Sequence, residues 1–303
     1  MSTPVAIFAV GVGLMAPILW ATLGELVMEK AGVLNIGIEG VMLLAAFAAA
    51  TGYKVTGSLA VGIAFAVGAG IACGIVLCIL YVRLGTDQVV TGIMFNVFAF
   101  GLTATLYEQY LGTNVATTLP DVKIPLLGDL PALGDILFNQ NLLIYAAFLA
   151  GPAVWFLLRK TWYGLHLQSV GESPQAAEAA GLDVWRTRYP AVMIGSVLTA
   201  LGGATLVAST SGGFVINITN GRGFIALAVV VLIQWRPLYA VFGALLFGVA
   251  QSMQFQAQSI AFLDSIPSDF ILMLPYVVTI VAVILVRGSR YPAACGVPYK
   301  RHA

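Results

Sequence analysis

The chain has 303 residues, of which 60% are hydrophobic and 9% charged, with a net charge of +1 and a mean hydropathy of +0.96. Soluble domains carry about 25% charged residues, so this composition excludes a soluble enzyme, a disordered chain, a nucleic-acid-binding surface and a disulfide-stapled secreted fold. It leaves a polytopic all-α membrane protein, because only a hydrocarbon solvent tolerates so much apolar surface.

Met1-Ser2-Thr3-Pro4 has no basic opening of the kind that precedes a cleaved signal peptide, so the first apolar run is expected to remain as a span. Runs that suit a core about 30 Å thick are Val5–Leu23, Val33–Ala50, Ser58–Val82, Val89–Tyr107, Asn141–Leu158, Tyr189–Ala208, Tyr239–Phe255 and Phe270–Val286. A shorter run, Phe224–Trp235, qualifies only if the Asn/Gly-rich stretch before it also enters the membrane, and with it the expected count is about nine. The distribution of basic residues supports that count. With the loop Arg159–Arg188 cytoplasmic, 11 of the 14 Lys and Arg residues fall inside and only Lys54, Lys123 and Arg222 fall outside. The N-terminus is then outside and the C-terminus inside.

A weak duplication runs through one domain spanning 1–303. The halves, about 4–111 and 189–287, match span for span at offsets of about 180 to 190 residues. Asn141–Leu158 stands unmatched, so the second copy enters from the opposite face, an inverted repeat. In both halves an Asn/Gly-rich opening precedes the second span: Gly32-Val-Leu-Asn35-Ile-Gly37-Ile-Glu39-Gly40 and Asn217-Ile-Thr-Asn220-Gly221-Arg222-Gly223. Such openings predict broken helices.

Glu39 reads as essentially the one ionisable side chain inside the membrane. It either borders a permeation path or, near an interface, caps a broken helix. Asn35, Asn217 and Asn220 open the matched elements; they line a binding site at the repeat interface or serve as ordinary turn residues. Asn96 lies mid-span beside Phe95, Phe98 and Phe100. An amide among aromatics suits a flat hydrogen-bonding ligand, and equally it bonds one helix to the next. Ala66, Gly70 and Gly74, like Ala244 and Gly248, recur at intervals of four and read as close helix packing.

The loop at about 160–188 contains Glu172-Ser173-Pro174-Gln-Ala176-Ala177-Glu178 and Gly181. Ser173 or Glu172 can cap a short helix there, Pro174 suits its first turn and Gly181 ends it. An exposed Ala-rich helix of this kind is a docking element or a plain surface connector. No phosphate loop of the G-x-x-x-x-G-K-[ST] type is present, and His166 and His302 lie outside the spans. Cys73, Cys78 and Cys295 lack metal-ligand spacing. Nothing in the sequence reads as catalytic.

Gly24-Glu25-Leu-Val-Met-Glu29-Lys30-Ala-Gly-Val-Leu-Asn35-Ile-Gly-Ile-Glu39-Gly40 and the loop Val170–Gly181 resemble membrane permeases of ABC importers of the branched-chain amino acid/simple sugar group. Ile124–Pro131, Ile136–Gln140 and Gly221–Ala228 resemble the nucleoside-uptake permeases within that group; the match runs from about Gly24 to Pro237. The resemblance implies a transport subunit in a bacterial inner membrane, working by alternating access. It implies a second permease subunit, two cytoplasmic ATPase subunits and an extracytoplasmic substrate-binding protein as partners. ATP and magnesium would be held by the ATPase, with no cofactor on this chain. Glu172, Pro174, Ala176, Ala177 and Gly181 would contact the ATPase, and the loop Gly112–Gln140, with Asp121, Asp129 and Asp135, would face the receptor. Asn35, Glu39, Phe95, Asn96, Asn217 and Asn220 are the candidate pathway residues. Rival readings are a ribose or other sugar permease, a stand-alone secondary transporter and a membrane scaffold.

Overall fold

The computed structural model describes residues 3–112, 118–125, 128, 130–256, 270, 273–285 and 291–299. Helix α1 runs unbroken from Thr3 to Lys30, past the expected end at Leu23. Glu25, Leu26, Met28, Glu29 and Lys30 are good helix formers, so charge alone does not stop the helix. Gly32 does: it has a φ of +79°. Its N–H bonds Glu29 O at 2.9 Å and that of Val33 bonds Met28 O at 3.0 Å, a Schellman ending that only glycine adopts without strain.

Residues 31–37 are not helical, and α2 follows over Ile38–Thr56. Next come α3 (Leu59–Leu77, continued by a wider π stretch, Cys78–Arg83) and α4 (Gln88–Leu106, continued likewise over Tyr107–Leu111). A small hairpin of β1 (Asp121–Lys123) and β2 (Asn139–Asn141), with the short helix α5 (Leu133–Leu137) between them, pairs Val122 with Gln140. Helix α6 (Leu142–Lys160) leads to α7 (Trp162–Glu172) and α8 (Pro174–Ala179). The chain continues through α9 (Val184–Thr205, with a π stretch to Ser211), α10 (Arg222–Leu232), α11 (Ala240–Phe255) and α12 (Leu274–Leu285).

Seven of these helices, among the described residues, are long and apolar enough to cross a membrane: Pro4–Lys30, Ile38–Thr56, Leu59–Arg83, Gln88–Leu111, Leu142–Lys160, Val184–Ser209 and Pro237–Phe255. Among the described residues this does not confirm the expected count of about nine. At 11 residues, α10 is about 16 Å long, half a crossing. The last expected span, Phe270–Val286, contributes the 12-residue α12; its remainder falls largely outside the described residues.

Helix α1 is the centre of the bundle, packed against α9, α11, α10 and α6, while α9 packs against α1, α3 and α2. Its Met15, Ile18, Leu19, Leu23 and Leu26 have no exposed surface. Lipid tails are as apolar as these side chains, so close packing rather than water exclusion joins the helices. Small residues make it possible. A Cβ on Gly195 would lie 2.7 Å from the Gly24 carbonyl oxygen, and one on Gly203 would lie 2.2 Å from that of Met42.

Candidate functional site

Two non-helical segments enter the bundle, and polar side chains serve their backbones. The first, 31–37, runs back alongside α1. Asn35 N–H donates to Glu25 Oε1 at 2.8 Å and Leu34 N–H to Gln88 Oε1 at 2.7 Å. The Asn96 amide donates to Ile36 O at 2.9 Å and accepts from Gly40 N–H at 2.7 Å. Tyr81 donates to Asn35 Oδ1 at 3.3 Å, and Arg188 Nε donates to Ala31 O at 3.0 Å. Irregular backbone at membrane depth survives only where protein satisfies it. Here the donors and acceptors come from α1, α3, α4 and α9. The fit is tight, since a Cβ on Gly92 of α4 would lie 2.6 Å from the Gly37 nitrogen.

The second segment follows Ser211 as a series of turns and ends at α10. Asn217 (φ +61°) and Asn220 (φ +41°) occupy left-handed positions there, followed by Gly221 (φ +80°). Helix α10 then begins against the first turn of α2. Glu39 accepts from Gly221 N–H and Gly223 N–H, both at 2.7 Å. Its carboxylate therefore stands where the N-terminal ends of α2 and α10 converge, and both helix dipoles favour an anion at that point. At its other end α10 leads to Trp235, whose Nε1–H donates to Glu29 Oε2. Glutamates of two other helices thus hold both ends of α10.

Glu39 is consequently not the only ionisable group within the bundle. Glu25 and Glu29 of α1 are 0% and 2% exposed, and Arg188 and Arg222 are also buried. The hydropathy reading ended the first span at Leu23 and so left both carboxylates outside it. The signal available was their spacing of four residues, which places them on one face of a continuing helix. Arg222, assigned from the sequence to the outer side of the membrane, is buried at the start of α10, bonded to Gln251 Oε1 at 3.2 Å and Ile218 O at 3.0 Å.

Among the expected pathway residues, Glu39, Asn35 and Asn96 gather around the two broken segments, and their hydrogen bonds go to the chain itself. Phe95 is buried against Gly37 and Gly40. With Phe98, Leu44, Cys73 and Met94 it lines an apolar groove of about 600 Å³. Asn217 and Asn220 are exposed, and neither side chain makes a hydrogen bond among the described residues. The geometry therefore favours turn chemistry at both. Replacing either with glycine removes the left-handed cost of an L side chain and is expected to leave stability unchanged or slightly raised. Transport rates of N217G and N220G measured against wild type check this; a loss of rate at normal membrane abundance would make these side chains ligands.

At the end of the bundle that carries Lys30, Ser173 caps α8 through Ala176 N–H, and Gly181 has a φ of +88°. Glu172, Ala176 and Gly181 are exposed, whereas Pro174 and Ala177 are buried. The buried pair faces the protein, with Ala177 beside Val170, Val184 and Tyr299. The segment Tyr291–Tyr299 lies across this end. Ala294 N–H donates to Gly171 O at 2.9 Å, Tyr299 donates to Glu178, and the Tyr291 ring meets Trp235 edge-on at 5.3 Å. All three cysteines are free and buried, and burial pushes the Cys295 thiol above its ordinary range. Among the described residues no cluster of His, Cys, Asp or Glu could hold a metal.

Comparison with known proteins places these features in context. The family described as branched-chain amino acid transport system / permease component matches residues 7–283. The guanosine ABC transporter permease protein NupQ of Bacillus subtilis is 34% identical over 94% of this chain and 93% of its own length. The nucleoside ABC transporter permease protein NupC of Lactococcus lactis is 33% identical over 93% of each chain. A putative glucose ABC transporter permease protein of Haloferax volcanii, TsgC13, is 38% identical over 80% of this chain and 75% of its own. No solved structure matches the chain.

Proposed function

The chain belongs to the family of branched-chain amino acid transport system permease components, and from that premise we propose that it is the membrane subunit of an ATP-driven importer of nucleosides. The observation that carries the substrate class is its similarity, over more than nine-tenths of both chains, to permeases named for guanosine and for nucleosides. The glucose-named relative is more identical over a shorter stretch, which makes a simple sugar the second reading.

In this proposal the subunit lies in the plasma membrane with its N-terminus outside, pairs with a second permease and receives ligand from an extracytoplasmic receptor at the β1–β2 hairpin. The two halves are inverted copies. Supporting this, α1 packs on α11 and α10 as α9 packs on α3 and α2, the exchange that a two-fold relation demands. ATPase subunits, which would hold ATP and magnesium, dock on the exposed Glu172, Ala176 and Gly181. Their closure shifts the bundle between two states only as far as they bind one state better than the other. Segment Tyr291–Tyr299 joins α8 to the 31–37 segment and to Trp235, so movement of α8 has a packed route to both broken elements.

Uptake of labelled guanosine, uridine and ribose by cells with and without this chain tests the reading. Deletion is expected to abolish nucleoside uptake and leave ribose uptake intact. Loss of ribose uptake alone would move the substrate to sugars. Nucleoside uptake that survives inactivation of the ATPase would overturn the importer itself.

A further inference from the structure

A second cavity, of about 630 Å³, opens at the hairpin end between α1, the β1–β2 hairpin, the end of α9 and the start of α10. Its size lies in the range of small-molecule sites. Val10, Leu14 and Ile144 give it apolar walls, and Asp121, Asp135 and Arg222 give it charge. Arg222 is 9% exposed. Its Nε and Nη1 are committed to Gln251 and Ile218, while Nη2 makes no hydrogen bond among the described residues. It is also the first residue of α10, where the helix dipole opposes a cation. Glu39, bonded to the N–H groups on either side of it, offsets that cost without using the guanidinium's hydrogen-bonding edge. A buried cation in an unfavourable place, lining a ligand-sized cavity with one edge unspent, is a recognition group.

We propose that this cavity is a purine-nucleoside site in which Arg222 reads the O6/N7 edge of a 6-oxopurine, Asp135 accepts from N1–H, which adenosine lacks, and Asp121 accepts from the ribose hydroxyls. The proposal rests on the nucleoside reading above and adds the base class. A guanidinium presents donors only, so it pairs with two adjacent acceptors, as guanosine and inosine offer, and is opposed by the N6 amino group of adenosine. The carboxylates need donors, which the same ligand supplies elsewhere.

The test compares guanosine and adenosine uptake by cells expressing the complete transporter with this chain wild type, Arg222→Gln or Asp135→Ala. A glutamine amide pairs with adenine N6/N7, so R222Q is expected to lower the guanosine-to-adenosine rate ratio by about 10- to 100-fold. All strains share the same receptor, whose own preference cancels when ratios are compared. Where R222Q carries nothing, D135A decides, because Asp135 is a half-buried residue of the short helix α5 in the hairpin and not part of a long apolar helix. A fall in its ratio of about fivefold or more supports the site; an unchanged ratio, or equal loss of every substrate, overturns it. A wild-type transporter that carries no nucleoside overturns both site and substrate class, whereas unshifted ratios in a nucleoside carrier overturn the site alone.

Discussion

Replacing Glu39 with alanine is expected to be among the most damaging single substitutions in the bundle. The change strips the acceptor from Gly221 N–H and Gly223 N–H, two of the donors that α10 cannot satisfy within itself. It also removes from Arg222, buried beside them, an anion that offsets its burial. Each orphaned donor costs about 1–3 kcal/mol. Interhelical bonds within membranes sit low in such ranges, at about 0.6–1.7 kcal/mol, so a total near 3 kcal/mol is expected. Against a stability of about 5–15 kcal/mol that is a large share. Glu39→Gln keeps one acceptor oxygen but turns an amide N–H toward the second donor, and should lose more than half as much. The midpoint of thermal unfolding of the purified subunit checks both, with the order wild type, E39Q, E39A. If E39A melted like wild type yet transported nothing, Glu39 would be a substrate ligand rather than the joint between the two helices.

Much of this arrangement was legible before the structure, and the residues show where legibility stops. Both broken helices could be read from Gly32, Asn35, Gly37 and from Asn217, Asn220, Gly221, because turn-forming residues inside an apolar pattern interrupt a helix wherever it sits. That the two openings meet could not be read. Glu39 and Gly221 are 182 residues apart, and no local pattern carries that contact. Glu25 and Glu29 were hidden for a related reason. Hydropathy counts a carboxylate as a reason to end a span, whereas the 31–37 segment donates to Glu25 and Trp235 donates to Glu29 inside the bundle. Gln88, Tyr81 and Arg188 were passed over because each bonds the 31–37 segment, Gln88 and Arg188 its backbone and Tyr81 the Asn35 side chain, from a helix distant in sequence. The seven long helices followed from run length alone, while α10 fell short because an 11-residue helix completes a crossing only together with the turns before it. Nothing local marks the docking of segment Tyr291–Tyr299, since its anchors, Gly171 O and Glu178, lie more than a hundred residues earlier.

Asn96 separates the two uses that the sequence leaves open for it, because they predict opposite results for Asn96→Leu. Leucine keeps the branched outline of asparagine but is larger, so the substitution opens no cavity and adds some overpacking to the loss of polar contacts. As the structure has it, Ile36 O loses a donor at 2.9 Å and Gly40 N–H loses an acceptor at 2.7 Å. Both belong to the stretch where the non-helical segment becomes α2, with no water to replace the lost bonds. At about 0.6–1.7 kcal/mol for each, N96L is expected to lose about 1–3 kcal/mol. Uptake should fall with the amount of folded subunit, and the apparent KM for nucleoside should stay at the wild-type value. A ligand role requires the reverse: unchanged melting and a raised KM. Phe98→Leu is the control for the aromatic half of the idea. Phe98 is 58% exposed on α4, lines the apolar groove and has no hydrogen-bonding group to serve the broken segment. F98L should therefore leave stability within about 0.5 kcal/mol of wild type. Equal damage from N96L and F98L would mean that α4, which carries both, acts through more than the backbone bonds of Asn96. Damage from N96L alone assigns Asn96 to the backbone it holds.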